Sequence, residues 1–132
     1  MLLIDEIISH DKDQLVSRIE IDIDKPFYDP NLPGVPSWVA IEYMAQSIAA
    51  LSGYSQVATG QEIQLGMLIS CRRFAVATAA FHAGETLLAT VTELAGADTG
   101  MAAYDCSVSR ESDEQQLATA ILGVYQRTNP EL

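Results

Sequence analysis

At 132 residues the chain is long enough to bury its own core and short enough for one domain, expected to span 1–132. Hydrophobic residues at 48% against 19% charged give a globular balance and exclude a disordered chain. Seven basic residues against 18 acidic leave a formal charge of −11, which excludes nucleic acid and anionic membranes as main partners.

The chain opens on Met1-Leu2-Leu3-Ile4-Asp5-Glu6, apolar but short, with acids where a signal peptide carries bases. Export is therefore not expected, and no run reaches the roughly 18 apolar residues of a membrane helix. Cys71 and Cys106 have no motif spacing, so reduced thiols in the cytoplasm are expected. With only His10 and His82 beside them, no metal site is expected, and no cofactor.

Residues 14–23 alternate: Leu15, Ile19 and Ile21 share one face, and Arg18, Glu20 and Asp22 the other, the pattern of a half-exposed strand. Pro26, Pro30, Pro33, Gly34 and Pro36 follow within eleven residues, which predicts an irregular loop. From Ser37 to Ser52 there is neither proline nor glycine. A helix is expected to start at Pro36 or Ser37 and to stop near Gly53. Val39, Ile41, Met44, Ile48 and Leu51, with the alanines between them, circle most of this helix, so it is expected to be surrounded.

Strands are predicted at 66–78, 85–95, 100–110 and 115–127, with Ala102, Tyr104, Cys106 and Val108 sharing a face in the third. The turns between them carry Gly84, the run Gly96-Ala97-Asp98, and Arg110 to Glu114. Short connections make these strands antiparallel neighbours. One apolar helix and about five long strands resolve into an α+β fold, a curved antiparallel sheet wrapped around one long central helix. Met44, Met67 and Met101 are expected to fill gaps in that core.

Two polar residues interrupt the helix, Glu42 and Gln46, four apart and so on one side. A carboxylate on a buried helix must be paired or face a cavity, and burial raises its pKa toward the range useful for proton transfer. Gln46 offers a donor and an acceptor, fit to position a carbonyl or to hold the carboxylate. Spacing alone equally allows both to lie on an exposed helix edge.

The loop Lys25-Pro26-Phe27-Tyr28-Asp29-Pro30-Asn31-Leu32-Pro33-Gly34 and the helix segment Ile41-Glu42-Tyr43-Met44-Ala45-Gln46 resemble the hot-dog β-hydroxyacyl-acyl-carrier-protein dehydratases. Weaker matches are Leu2-Leu3-Ile4-Asp5, the stretch from Arg73-Phe74 to Phe81-His82-Ala83-Gly84-Glu85-Thr86-Leu87, and Ala118 to Leu122. The helix start, with Val35-Pro36 before Trp38-Val39 and then Ile41 to Gln46, looks like the small hot-dog subunits of aryl polyene biosynthesis clusters. The resemblance implies a (3R)-3-hydroxyacyl thioester on a phosphopantetheine arm, carried by acyl carrier protein, as substrate; an acyl-CoA is the other possible carrier. It implies Glu42 as the acid that assists loss of the C3 hydroxyl, with Gln46, Asn31, Ser37 and Trp38 lining the substrate. Backbone N–H groups around Ser37-Trp38-Val39 would polarise the thioester carbonyl.

One element of the family pattern is missing. The position of the catalytic histidine is Asn31, and asparagine is no base near neutral pH. His82, His10 and Asp29 are weak substitutes, each more simply read as a surface or turn residue. The resemblance therefore implies either a homodimer or a heterodimer with a histidine-bearing hot-dog dehydratase. The alternatives are a non-catalytic partner subunit and an acyl thioesterase. The only basic doublet, Arg72-Arg73, is a candidate landing site for an acidic carrier, against the plain reading of a solvated strand-edge pair.

Overall fold

The computed structural model describes residues 1–58, 66–95 and 100–126. The strands are β1 (Glu6–His10), β2 (Gln14–Glu20), β3 (Gly34–Pro36), β4 (Gly66–Val76), β5 (Ala80–His82), β6 (Thr86–Ala95), β7 (Met101–Arg110) and β8 (Gln116–Gln126). A 3-10 turn (Ser37–Val39) runs directly into the helix α1 (Ala40–Ala58). Six strands form one antiparallel sheet in the order β1-β2-β6-β7-β8-β4, and β3 pairs with β5 in a separate two-stranded piece. This is the α+β hot-dog architecture expected from the sequence.

Alternation places the core. Leu15, Ile19 and Ile21 from β2 and its exit, Leu87, Ala89 and Val91 from β6, and Ala102, Tyr104, Cys106 and Val108 from β7 are all buried. They meet Val39, Ala40, Tyr43, Met44, Ile48 and Leu51 of the helix in one cluster. Small residues on both sides let α1 lie close to β2, β6 and β7. Even the polar pair inside is satisfied: Ser17 on β2 and Ser47 on α1 share a hydrogen bond of 2.7 Å, and Ser47 Oγ also donates to the Tyr43 carbonyl at 2.8 Å. Burial and the charge of Asp5 push the Tyr43 phenol well above its ordinary range.

Several expectations need correction. The helix passes Gly53 and ends at Ala58. One glycine inside a helix costs only about 1 kcal/mol, too little to stop it alone. Nor is α1 surrounded: Trp38, Glu42, Ala49 and Tyr54 are exposed, and Ile41, Ala45 and Gln46 are half-exposed. The sheet covers one side of the helix and leaves the other open.

The proline-rich loop does contain a regular element, β3, whose Gly34, Val35 and Pro36 face His82, Phe81 and Ala80 of β5. β1 and β5 were not foreseen, each being short and without a full alternation. Met44 fills the core as expected, but Met101 is exposed. The side chain of Met67 and the Gly96-Ala97-Asp98 turn lie outside the described residues. Among the described residues, no helix is long and apolar enough to cross a membrane.

Candidate active site

The site is built at the start of the helix. Asp29 and Gly34 close a tight turn: Asp29 N–H donates to the Gly34 carbonyl at 2.8 Å, and Leu32 N–H to the Asp29 carbonyl at 3.0 Å. The Asp29 carboxylate accepts from Asn31 N–H at 2.9 Å, an Asx-type cap of the turn. Asp29 is thus engaged in holding the loop, and Asn31 is exposed on it.

Gly34 is required here by space. A Cβ at this position would lie 2.2 Å from the Phe81 carbonyl oxygen. That close approach seats β3 on β5, and Ser37 N–H then donates to the Ala79 carbonyl at 3.0 Å. The chain enters the helix through Pro36 in an extended conformation, with no side-chain cap. Ser37 is buried and its amide is taken. The amide of Trp38 lies in the first turn, where a helix offers no internal acceptor, at the positive end of its dipole, whereas the i→i+3 pattern of the 3-10 turn takes up Val39 N–H.

Glu42 follows one turn later on the open side of α1, and it is exposed. Trp38 stands on the same side, 53% exposed, with its indole edge-on to Phe27 at a centroid distance of 5.5 Å. The tryptophan therefore packs on the proline loop. Phe27 is a contact that sequence reading missed; an aromatic just before the turn was the available signal.

Gln46 is differently employed. Its Oε1 accepts from Leu3 N–H and its Nε2 donates to the Met1 carbonyl, both at 2.7 Å. One carboxamide thus acts like a strand rung and fastens the N-terminal segment beside the helix. It does not touch Glu42's carboxylate among the described hydrogen bonds.

The two histidines separate. His82 faces Gly34 across the β3–β5 pair, so the fold brings it beside the loop that carries Asn31. Its ring is exposed and lies 3.7 Å from Glu85, which is held in turn by Arg110 at 2.5 Å. His10 instead stacks flat on Tyr54 at 4.1 Å. Tyr54 is twelve residues beyond Glu42, or about 18 Å along the helix axis, so His10 is remote from the site. Arg72 and Arg73 lie on β4, both exposed, at the opposite rim of the sheet from β1. Among the described residues, no three His, Cys, Asp or Glu side chains cluster closely enough to hold a metal.

An antiparallel sheet packed against one long helix, with the short β3–β5 pair at the helix start, defines a member of the hot-dog fold. The sequence matches the ApeP-like family model, described as ApeP dehydratase, over residues 1–132, and the chain belongs to that family. Among solved structures, the ApeI:P dehydratase heterocomplex of Xenorhabdus doucetiae is similar at 25% identity and a TM-score of 0.87. That match covers 98% of this chain and 86% of the other. The PaaI protein of the Escherichia coli phenylacetic acid degradation operon is 13% identical (TM-score 0.73, covering 94% and 80%). A hypothetical thioesterase with coenzyme A from Streptococcus pneumoniae is 10% identical (TM-score 0.72, covering 94% and 86%). These last two share the fold alone. Comparison with curated proteins returns no match.

Proposed function

We propose that this chain is the acid-bearing subunit of a two-subunit dehydratase in the cytoplasm, acting on 3-hydroxyacyl thioesters of polyene or fatty-acid assembly. The observation that carries the reading is Glu42, exposed on the uncovered side of α1, one turn from the Trp38 amide, on a chain whose loop offers Asn31 in place of the family's histidine. The heterocomplex of the related ApeI:P dehydratase supports a partner of a different kind.

Elimination of water from a 3-hydroxyacyl thioester breaks the C2–H and C3–O bonds and forms C2=C3. The electrons of the C2–H bond pass through an enolate on the thioester oxygen. Trp38 N–H, at the positive end of the helix, is the donor for that oxygen, where negative charge grows in the transition state. Glu42 gives its proton to the departing hydroxyl, so that water leaves. The base that takes the C2 proton comes from a histidine of the partner subunit. The substrate arrives on a phosphopantetheine arm, of a carrier protein or coenzyme A. An acidic carrier would dock on the partner, because this chain at −11 repels it.

The test offers 3-hydroxyacyl, enoyl and simple acyl thioesters to the chain alone and to the chain with a histidine-bearing hot-dog dehydratase. Dehydration only in the mixture, lost with Glu42→Gln, is expected. Unchanged dehydration in the Glu42→Gln mixture would assign this chain a purely supporting role, and thiol release by the chain alone would make it a thioesterase.

A further inference from the structure

The last strand of the sheet carries information about the partner. β4 is hydrogen-bonded to β8 on one side, and no described strand lies on its other side. An open edge of eleven residues presents about 36 Å of unpaired backbone. Native proteins do not leave so long an edge bare. The helix does not cover it either, since α1 packs on β6, β2 and β7 and only marginally on β8. Leu68, Ile69 and Val76 are accordingly 41%, 45% and 42% exposed. At the strand's end, Ala75, Val76 and Ala77 line an apolar groove of about 210 Å³ with Leu117 and Ala118 of β8. Apolar groups exposed along one strand, beside a free edge, mark a seat for another sheet.

Arg72 and Arg73 sit near the middle of this edge. The pairing of β4 with β8 shifts between Arg72 and Ala75, and Arg73 adopts φ of 56°, so the alternation breaks and both consecutive side chains are exposed. Elsewhere Arg18 is paired with Glu6, Lys25 with Asp5, and Arg110 with Glu85 and Asp113. Among the described residues, no such acid stands beside Arg72 or Arg73.

Two copies of this chain joined antiparallel along β4 would have Cys71 near their two-fold axis. Arg72 would then lie within about 8 Å of its own copy by strand geometry, with Arg73 close by. That separation is no larger than the screening length of about 8 Å at physiological salt. Four guanidinium groups would converge between bodies that each carry −11. A different subunit with carboxylates on the facing edge meets no such repulsion and gains complementary pairs.

We infer that Arg72 and Arg73 on the β4 edge select the partner: they disfavour a second copy of this chain and favour a hot-dog subunit whose facing edge is acidic. This rests on the two-subunit reading above, and it gives the doublet to the partner rather than to a carrier protein.

A charge swap within this one chain tests it without any activity assay. The double variant Arg72→Glu/Arg73→Glu supplies the acidic edge, and sedimentation measures association of each protein and of their equimolar mixture, with circular dichroism as a check on folding. At low salt the mixture is expected to associate at least about tenfold more tightly than either parent, and the advantage to vanish near 1 M salt, where the screening length is about 3 Å. The neutral double variant Arg72→Ala/Arg73→Ala is expected to self-associate more tightly than the native chain, and it carries the test if the reversed variant does not fold. A native chain that self-associates as tightly as the mixture and the neutral variant, or does so regardless of salt, overturns the inference. Because the readout is association, its failure is distinct from failure of the Glu42 assignment, which turnover measures.

Discussion

Glu42 and Gln46 are four residues apart on one helix, yet their surroundings assign them different work. Glu42 has an open side and no described partner, so on the proposed mechanism its removal affects chemistry and leaves packing alone. Glu42→Gln is expected to lower turnover of the assembled enzyme by about 100-fold or more, the usual worth of a positioned acid. Thermal unfolding should shift by no more than an exposed substitution allows, about 0.5 kcal/mol. Gln46 holds the Met1 carbonyl and the Leu3 amide. Gln46→Leu should therefore cost about 1–2 kcal/mol, two ordinary hydrogen bonds, and speed hydrogen exchange at Leu3. Unchanged exchange at Leu3 would contradict the clamp.

The thiols form a second pair with opposite settings. Burial, aided by the nearby Asp105 charge, pushes the Cys106 thiol up to about 12, while Cys71 is exposed on β4. Only the thiolate reacts, so one of the two cysteines is expected to label rapidly at pH 8 in the folded chain. The second should label after denaturation; rapid labelling of both would show that the β7 face is not closed. The linkage runs downward with pH. Cys106 binds its proton more tightly when folded, so its contribution is intact below pH 9 and fades as the pH climbs from there toward 12.

Among the elements, the β3–β5 pair is the smallest and governs the most. Three residues on each side fix where the chain enters the helix, and Gly34 lies against the Phe81 backbone with no room for a methyl group. Gly34→Ala must push the strands apart, and a loss of about 1–3 kcal/mol is expected, as for other overpacked sites. Calorimetry would measure it. Activity of the assembled enzyme should fall as well, because Ser37 N–H then loses its hold on Ala79 and the amide of Trp38 moves. Native activity in a Gly34→Ala variant would separate the loop from the site.

How much of this was legible follows from pattern length. Strands β2, β6, β7 and β8 carry seven or more residues, enough for alternation to stand out, and the glycine-free run from Ser37 announced the helix. β1, β3 and β5 have five residues or fewer, and β3 contains Pro36, so composition alone points to loop. The helix sequence gave the correct spacing of Glu42 and Gln46. It could not separate a helix surrounded by its own sheet from one left open on a side, because apolar residues read the same whether the cover comes from the chain or from a partner. The engagement of Gln46 was equally out of reach, since it depends on a segment more than forty residues away.

At the scale of the whole molecule, the open side of α1, the bare edge of β4 and Asn31 in place of the family's histidine have one explanation in the two-subunit proposal: the chain is half of an assembly. On that reading a single copy brings the acid Glu42 and the Trp38 amide, and the histidine that takes the C2 proton comes from the partner. The most direct measurement is dehydration of a 3-hydroxyacyl thioester by this chain, by a histidine-bearing hot-dog dehydratase subunit held at a concentration where it is inactive alone, and by the two together. Turnover is predicted only for the mixture, and Glu42→Gln in this chain should abolish it. Full turnover by this chain alone, or a mixture indifferent to Glu42→Gln, would contradict the account.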